Sequence, residues 1–262
     1  MELKDKTALI FGAGGQIGAQ VSRVFAREGA KLYLSGPRTP RIDALALELR
    51  GSGASVDVQQ VDATDDKAVS RYVDAVALAA GRIDVVFNAM GVQGDEVVAP
   101  STEVSKERFM TYLSQVVPSQ FLTARAAARH MLSHKSGTVV LLGATPARGV
   151  APFIAGASAA HAAIEGLALS LATEWSPMGV RVVCFRSAGM SDSRRIQGVL
   201  AAMAKLVGAP LDAFVQGARE KPLLKRMSTL AEAAEAICFL ASDRASTFTG
   251  TVVNGCCGEV VD

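Results

Sequence analysis

The feature that most constrains the fold is an apolar strand that runs directly into a glycine-rich turn and then into a helix. The strand covers residues 7–11, and the turn is the run GAGGQIG at residues 12–18. After the turn, apolar residues recur at the spacing of one helix face while polar residues take the other. Glycine allows unusual dihedrals and close approach to a ligand, and the N–H groups at a helix start attract anions. The segment therefore predicts a site for a nucleotide pyrophosphate.

The glycine spacing narrows this prediction. A G-x-G-x-x-G frame fails because Ile17 stands where the third glycine belongs, whereas Gly12, Gly15 and Gly18 fit G-x-x-G-x-x-G. These three glycines, with Ile17 between the last two, are predicted to hold the cofactor. The turn does not end in G-K-[ST], so a nucleoside triphosphatase loop is not expected.

The rest of the chain alternates strand and helix patterns. Further strands are predicted at 30–34, 56–61, 83–87, 137–142, 180–185 and 251–253, with helical patterns between them. This alternation predicts one Rossmann-type α/β domain over residues 1–262, a doubly wound parallel sheet of about seven strands with helices on both faces. Residues 191–221 are expected to cover the cleft, and Pro118 is expected to kink or restart the helix at 106–134. Thr229 followed by Glu232 predicts a capping box at the start of a helix that runs to Leu240.

Composition excludes several classes of function. The net charge is +2 with both signs interspersed, so nucleic acid is not an expected partner. The charged start enters the first strand without a signal peptide, and His161 and Glu165 interrupt the apolar run at 151–172, so neither export nor a membrane span is expected. The four cysteines lack C-x-x-C spacing. We expect reduced thiols, no metal site and a cytoplasmic protein.

Several marks further along the chain resemble the short-chain dehydrogenase/reductase family. Residues 62–65 (DATD) resemble V-D-x-[TS]-D, residues 88–91 (NAMG) resemble N-N-A-G, and residues 239–243 (FLASD) resemble F-L-A-S-D. The resemblance implies an oxidoreductase that uses a nicotinamide cofactor and a small-molecule substrate and assembles as a homo-oligomer, a dimer or tetramer. It also implies cofactor contacts at Asp62, Asn88 and Gly91, although Asp62 has an alternative role as the N-cap of the next helix.

The same alignment departs from the family at its catalytic positions. The family uses a tyrosine as proton donor, a lysine four residues on to lower its pKa, and a serine that holds the substrate oxygen. These positions fall on Ala157, His161 and Ala144, and a helical asparagine falls near Val116. A positioned general acid contributes about a hundred- to ten-thousandfold in rate, so standard turnover is not expected.

His161 and Thr145 are the candidate replacements. A histidine titrates near neutral pH and can serve as acid or base, but it can also simply fill the space of the lysine. Thr145 can supply the oxygen that Ala144 lacks, or it can be a turn residue before Pro146. Three hypotheses follow: a divergent NADP(H)-binding protein with weak or no redox activity, an active oxidoreductase with a substitute relay through His161 or Thr145, and a lyase or isomerase with His161 as base.

The cofactor prediction depends on the end of the second strand. Residues 34–38 read LSGPR, without the acid that would hold a ribose 2′-hydroxyl. Arg38, helped by Arg41, can bind a 2′-phosphate instead, which favours NADP over NAD, although a solvated arginine is the alternative. Gln16 stands where most members of the family carry glycine, and its side chain is expected to crowd the phosphates. Further along, Asp192, Arg194 and Arg195 are interpreted as a solvated helix start.

Overall fold

The computed structural model describes residues 1–92, 98–149 and 151–261. Within them, seven strands form one parallel sheet in the order β3-β2-β1-β4-β5-β6-β7. The strands are β1 (Thr7–Phe11), β2 (Lys31–Gly36), β3 (Val56–Gln60), β4 (Val85–Asn88), β5 (Gly137–Ala144), β6 (Val180–Ser187) and β7 (Thr251–Gly255). The sheet confirms the predicted fold class.

Helices cover both faces of the sheet. Those described are α1 (Gln16–Arg27), α2 (Pro40–Gly51), α3 (Asp66–Ala80), α4 (Lys106–Ser133), α5 (Ala155–Trp175), α6 (Arg194–Leu206), α7 (Leu211–Glu220) and α8 (Leu230–Ala241). On one face, α1, α2 and α8 pack on alternate strand residues such as Ala8 and Ile10. On the other, α3, α4 and α5 pack on Leu9 and Phe11. Every residue of β1 is therefore buried, as expected of a doubly covered strand.

The strand order fixes where a ligand site can form. After β3 the chain returns across the sheet, so that β4 pairs with β1 on the side opposite β2. The connections leaving β1 and β4 consequently diverge at the carboxyl edge, which opens a crevice between them. Gly12 follows β1 here, and a Cβ on it would come within 2.8 Å of the Met90 nitrogen after β4.

Pro118 does not restart α4, so of the two outcomes expected from the sequence only a kink at this position stays a prediction. Helix α4 continues through it from Lys106 to Ser133. The turn that follows is anchored to β4, because the Asn88 amide donates to the hydroxyl oxygens of Ser119 and Thr123, and Gln120 donates to the Asn88 carbonyl oxygen. Tertiary contacts of this kind offset the roughly 3 kcal/mol cost of a proline inside a helix.

The cover region contains one more helix than the sequence pattern predicted. Helix α6 begins at Arg194 behind the N-cap Ser193, and α7 follows after Pro210. No residue of α7 is buried, although Phe214 packs partly buried against the core. The capping box predicted at Thr229 and Glu232 is confirmed at the start of α8.

Candidate active site

The glycine turn between β1 and α1 is tightly packed. Gly12 has a φ of +71°, and the Gly15 N–H donates to its carbonyl oxygen at 3.0 Å. A Cβ on Gly18 would lie 2.4 Å from the same oxygen, so a side chain there would push the turn away from the helix. Gly15 itself is exposed at the tip, next to half-buried Ile17.

The start of α1 suits an anionic ligand. Gly15 is its N-cap, no side chain caps it, and its first turn contains no acid. The first N–H groups of a helix have no partner within the helix, and together with the helix dipole they attract phosphate. The residues present at this turn therefore fit the pyrophosphate of a dinucleotide.

Gln16 reaches from this turn to the cover region. Its side-chain amide donates to the Asp192 carbonyl oxygen at 3.4 Å, and its side-chain oxygen accepts from the Arg194 N–H at 2.9 Å. The carboxylate of Asp192 in turn accepts from the Leu230 N–H at the start of α8. We call the pair of Gln16 hydrogen bonds the Gln16 latch. It shows that this side chain bridges the glycine turn and α6.

Two arginines flank the glycine turn on the side of β2. The carbonyl oxygen of Ser35, near the end of β2, accepts from the Ala13 N–H, which joins that strand end to the turn. A Cβ on Gly14 would lie 3.6 Å from the Cβ of Arg41, and Arg38 follows β2 directly. Both arginine side chains are exposed. The arrangement places the backbone of Arg38 and the Cβ atom of Arg41 on the β2 side of the turn.

Asp62 and Asn88 have well-defined roles within the fold. The Asp62 carboxylate accepts from the N–H and the hydroxyl of Thr64. The N-cap of α3 is Asp65 instead, so the alternative prediction of Asp62 as that N-cap is wrong. Asn88 is buried, and its side-chain oxygen accepts from the Met90 N–H at 2.8 Å. It therefore shapes the backbone that leads to Gly91, and its part in cofactor contact stays a prediction.

The positions at which the resemblance expects catalytic residues lie along β5 and α5. Ala144 ends β5 in extended backbone, with φ −148° and ψ 160°, and buried Thr145 begins the short 3₁₀ turn Thr145–Ala147 that follows. Ala157 and His161 lie one turn apart on α5, and Ala157 is 7% exposed. The role of Thr145 as a replacement for a serine at position 144 stays a prediction.

His161 lies in a cationic and largely apolar environment. Burial, followed by the positive charge of Arg195, lowers the pKa of His161 to about 4. Its Nδ1 atom is buried without a hydrogen-bond partner in the structure as described. The Tyr112 ring meets the imidazole edge-on, with centroids 6.1 Å apart. His161 is consequently a neutral imidazole at pH 7.

Arg195 enters the same site from the cover region, where the sequence pattern had indicated a solvated helix start. Its Nη2 donates to the Tyr112 hydroxyl at 3.0 Å, and its Nη1 donates to the Val92 carbonyl oxygen at 3.4 Å. Nη1 also lies 2.5 Å from where a Cβ on Gly91 would stand, so a side chain at that position would displace the guanidinium group. The sequence signal for an inward position of Arg195 is helical spacing, because Arg195 precedes Val199, which packs against the core, by one turn.

A buried ion pair lies one turn further along α5 from His161. The Arg186 Nε is 2.6 Å from one oxygen of Glu165, and the Arg148 Nε is 3.1 Å from the other. Arg186 and Glu165 are both buried, and Arg186 also donates to the Asn254 side chain. The Glu165 carboxylate is therefore paired with two arginines within the fold, next to the candidate site. Sequence reasoning had used Glu165 only to argue against a membrane span.

None of the described helices is by itself long and apolar enough to span a membrane. Helices α6 and α7, bent by 116° at their junction, reach the required length and apolar composition only when taken together.

Three of the four cysteines are buried and the fourth is half-buried, and all four are free thiols.

Comparison with known proteins gives matches over nearly the whole chain. The sequence model described as enoyl-(acyl carrier protein) reductase matches residues 12–258. Oxidoreductase UcpA of Salmonella typhimurium is 31% identical over 268 aligned residues, which cover 97% of this chain and 95% of that protein.

Solved structures give the same extent of match. Xylitol dehydrogenase with bound NAD+ superposes with a TM-score of 0.93 at 24% identity, over 98% of this chain and 100% of that one. A gluconate 5-dehydrogenase of Burkholderia cenocepacia, in complex with NADP and tartrate, superposes with a TM-score of 0.86 at 22% identity, over 98% and 96%. At these identities the structural likenesses establish the fold.

Proposed function

Because the chain belongs to the short-chain dehydrogenase/reductase family of oxidoreductases, we propose that it binds NADP(H) and lacks the family's standard proton relay. The observation that carries the proposal is an intact glycine turn beside Ala144, Ala157 and His161. When bound, the nicotinamide supplies or takes up a hydride. The alanine methyl groups can neither donate a proton nor bind an oxyanion, so redox turnover is weak, non-standard or absent.

The cofactor side of the proposal assigns a role to each group around the turn. The start of α1, with Gly12, Gly15, Ile17 and Gly18, holds the pyrophosphate through backbone N–H groups and close approach. On the β2 side, Arg38 and Arg41 hold the 2′-phosphate through charge-assisted hydrogen bonds. Asp62 and the 88–91 segment complete the site. NADP is accordingly preferred over NAD.

Fluorescence titration of the purified protein with NADPH and NADH tests this assignment. An exposed charge-assisted bond contributes on the order of 1 kcal/mol, so the double variant Arg38→Ala/Arg41→Ala should weaken NADPH binding about tenfold or more. Binding of NADH should stay the same. Arg71→Ala is the matched control, because Arg71 is an exposed arginine on α3, across the sheet. Equal affinity for both nucleotides in wild type would refute the NADP assignment, and absence of binding would refute the proposal as a whole.

The two other hypotheses receive less support. A substitute relay through Thr145 has less support because its side chain is buried at the start of a short 3₁₀ turn. A lyase or isomerase with His161 as general base needs a group of pKa near the working pH, whereas the pKa of His161 is lowered to about 4. Product formation from a substrate without any change in nicotinamide absorbance would nevertheless establish the non-redox hypothesis.

Assembly and location are part of the same proposal. The outer side of α5 is slim at Ala162, Ala163 and Gly166, and Leu169 beside them is 59% exposed. An exposed apolar strip on a helix favours association with a second copy, and we propose a cytoplasmic homodimer or homotetramer. Light scattering of wild type and Leu169→Glu tests it, with Leu78→Glu on α3 as a control for an exposed leucine. A monomeric wild type would contradict the proposed assembly.

A further inference from the structure

We propose that Tyr112, with its hydroxyl held by Arg195, is the proton donor and acceptor of this site. The proposal rests on the nicotinamide-binding function argued above. It places the lost tyrosine on a different helix, α4 instead of α5, and replaces the lost lysine with an arginine from the cover helix α6.

The position of Tyr112 follows from how closely α4 and α5 pack. A Cβ on Gly156 would lie 2.5 Å from the Phe109 carbonyl oxygen, so the two helices touch one turn before Tyr112. The next turn of each helix then faces the other, and the Tyr112 ring meets the His161 imidazole there. Tyr112 and Ala157 belong to one packed cluster. The Tyr112 ring therefore lies in the same packed cluster as the position where the family carries its tyrosine.

Arg195 supplies what a phenol needs in order to exchange a proton near neutral pH. Its Nη2 donates to the phenol oxygen at 3.0 Å, and its guanidinium carbon lies 5.9 Å from the ring centroid. A hydrogen bond from a cation stabilises the phenolate more than the phenol. His161 is a neutral imidazole at pH 7 and therefore adds no second positive charge beside the phenol.

The proton step balances without a further reactant. In the reducing direction the Tyr112 O–H bond breaks, its electron pair stays on the phenolate oxygen, and the proton bonds to the substrate oxygen. The new C–H bond takes its electron pair from the hydride of a reduced nicotinamide. The Arg195 charge offsets the phenolate until solvent returns the proton. In the oxidising direction the phenolate takes the proton from the alcohol.

Titration of tyrosinate absorbance in the cofactor-free protein tests the central contact. The chain contains three tyrosines, Tyr33, Tyr72 and Tyr112, and burial raises the pKa of Tyr72 out of range. In the Tyr33→Phe variant the remaining transition should therefore belong to Tyr112. The described groups that act on it are Arg195 on α6 and His161 on α5, with Glu165 a turn beyond. We expect its midpoint to lie about one to three units below that of the same protein carrying Arg195→Gln.

Arginine variants in the Tyr33→Phe background decide whether Arg195 causes the shift. Arg195→Gln should return the midpoint to about 10 or above, and Arg195→Lys should keep part of the shift. Arg194→Gln, at the neighbouring arginine, should leave it unchanged. A midpoint that does not respond to Arg195→Gln, or a transition that survives Tyr112→Phe, would overturn the proposal.

Turnover gives a second, independent readout. With NADPH and a panel of ketones, keto acids and keto sugars, Tyr112→Phe should lower kcat about a hundred- to ten-thousandfold, and Tyr33→Phe should not. Activity that survives Tyr112→Phe would exclude Tyr112 as the acid. If wild type does not bind NADPH, the proposed function is refuted, while the tyrosinate titration still reports on the contact between Tyr112 and Arg195.

Discussion

Removal of the Gln16 latch should loosen the start of α6. In Gln16→Ala, the hydrogen bonds to the Arg194 N–H (2.9 Å) and the Asp192 carbonyl oxygen (3.4 Å) are lost. Each hydrogen bond contributes roughly 0.5 to 1.5 kcal/mol, and the longer one falls at the lower end of this range. The variant should therefore destabilise the closed arrangement, relative to the open one, by about 1 to 2 kcal/mol. That corresponds to a five- to thirtyfold larger opening equilibrium.

Hydrogen–deuterium exchange measures this change directly. Amides in the first turns of α6 should exchange about five to thirty times faster in Gln16→Ala, while α8, held by its own capping box, should not change. Gln20→Ala is the matched control because Gln20 lies one turn later on α1. If exchange in α6 is the same in wild type and Gln16→Ala, the two hydrogen bonds do not hold the cover region, and the reasoning is wrong.

Two further predictions concern the groups on α5. Glu165→Gln removes the carboxylate that pairs with buried Arg186, and the free energy of unfolding measured with urea should fall by about 3 to 5 kcal/mol. The control Glu174→Gln, at an exposed position of the same helix, should change this free energy little. The pKa of His161 is lowered to about 4 in the folded state against about 6.5 in the unfolded chain, so the unfolded state binds more protons between these values. The contribution of His161 to stability is therefore complete above about pH 6.5 and is lost as the pH falls toward 4. Between pH 7 and pH 5, the free energy of unfolding of wild type should fall by about 2 kcal/mol more than that of His161→Gln. The same pH dependence in both proteins, measured by urea unfolding, would contradict the assigned burial of the imidazole.

The glycine turn and the fold around it were predictable because they depend on local chemistry. Strand periodicity, the run at residues 12–18 and the capping box at Thr229 each act over a few neighbouring residues, and all three are found as expected. The departure from the family at Ala157 and His161 was also visible, because the two residues keep the spacing of the family's tyrosine and lysine, and the loss of catalysis that it implies stays a prediction. The continuation of α4 through Pro118 was not predictable from the sequence, because the local cost is offset by hydrogen bonds from Asn88, which lies on a distant strand.

The sequence by itself predicted a parallel α/β fold, a glycine turn suited to phosphate, and an alanine and a histidine where the family carries its tyrosine and lysine, since periodicity and motif spacing suffice for each. Only the tertiary structure decided that Gln16 bonds to α6, that Arg195 meets Tyr112, and that His161 lies half-buried beside them. The first two contacts join residues 178 and 83 positions apart. Their geometry depends on how helices pack across the crevice, and no local pattern in the chain encodes that packing.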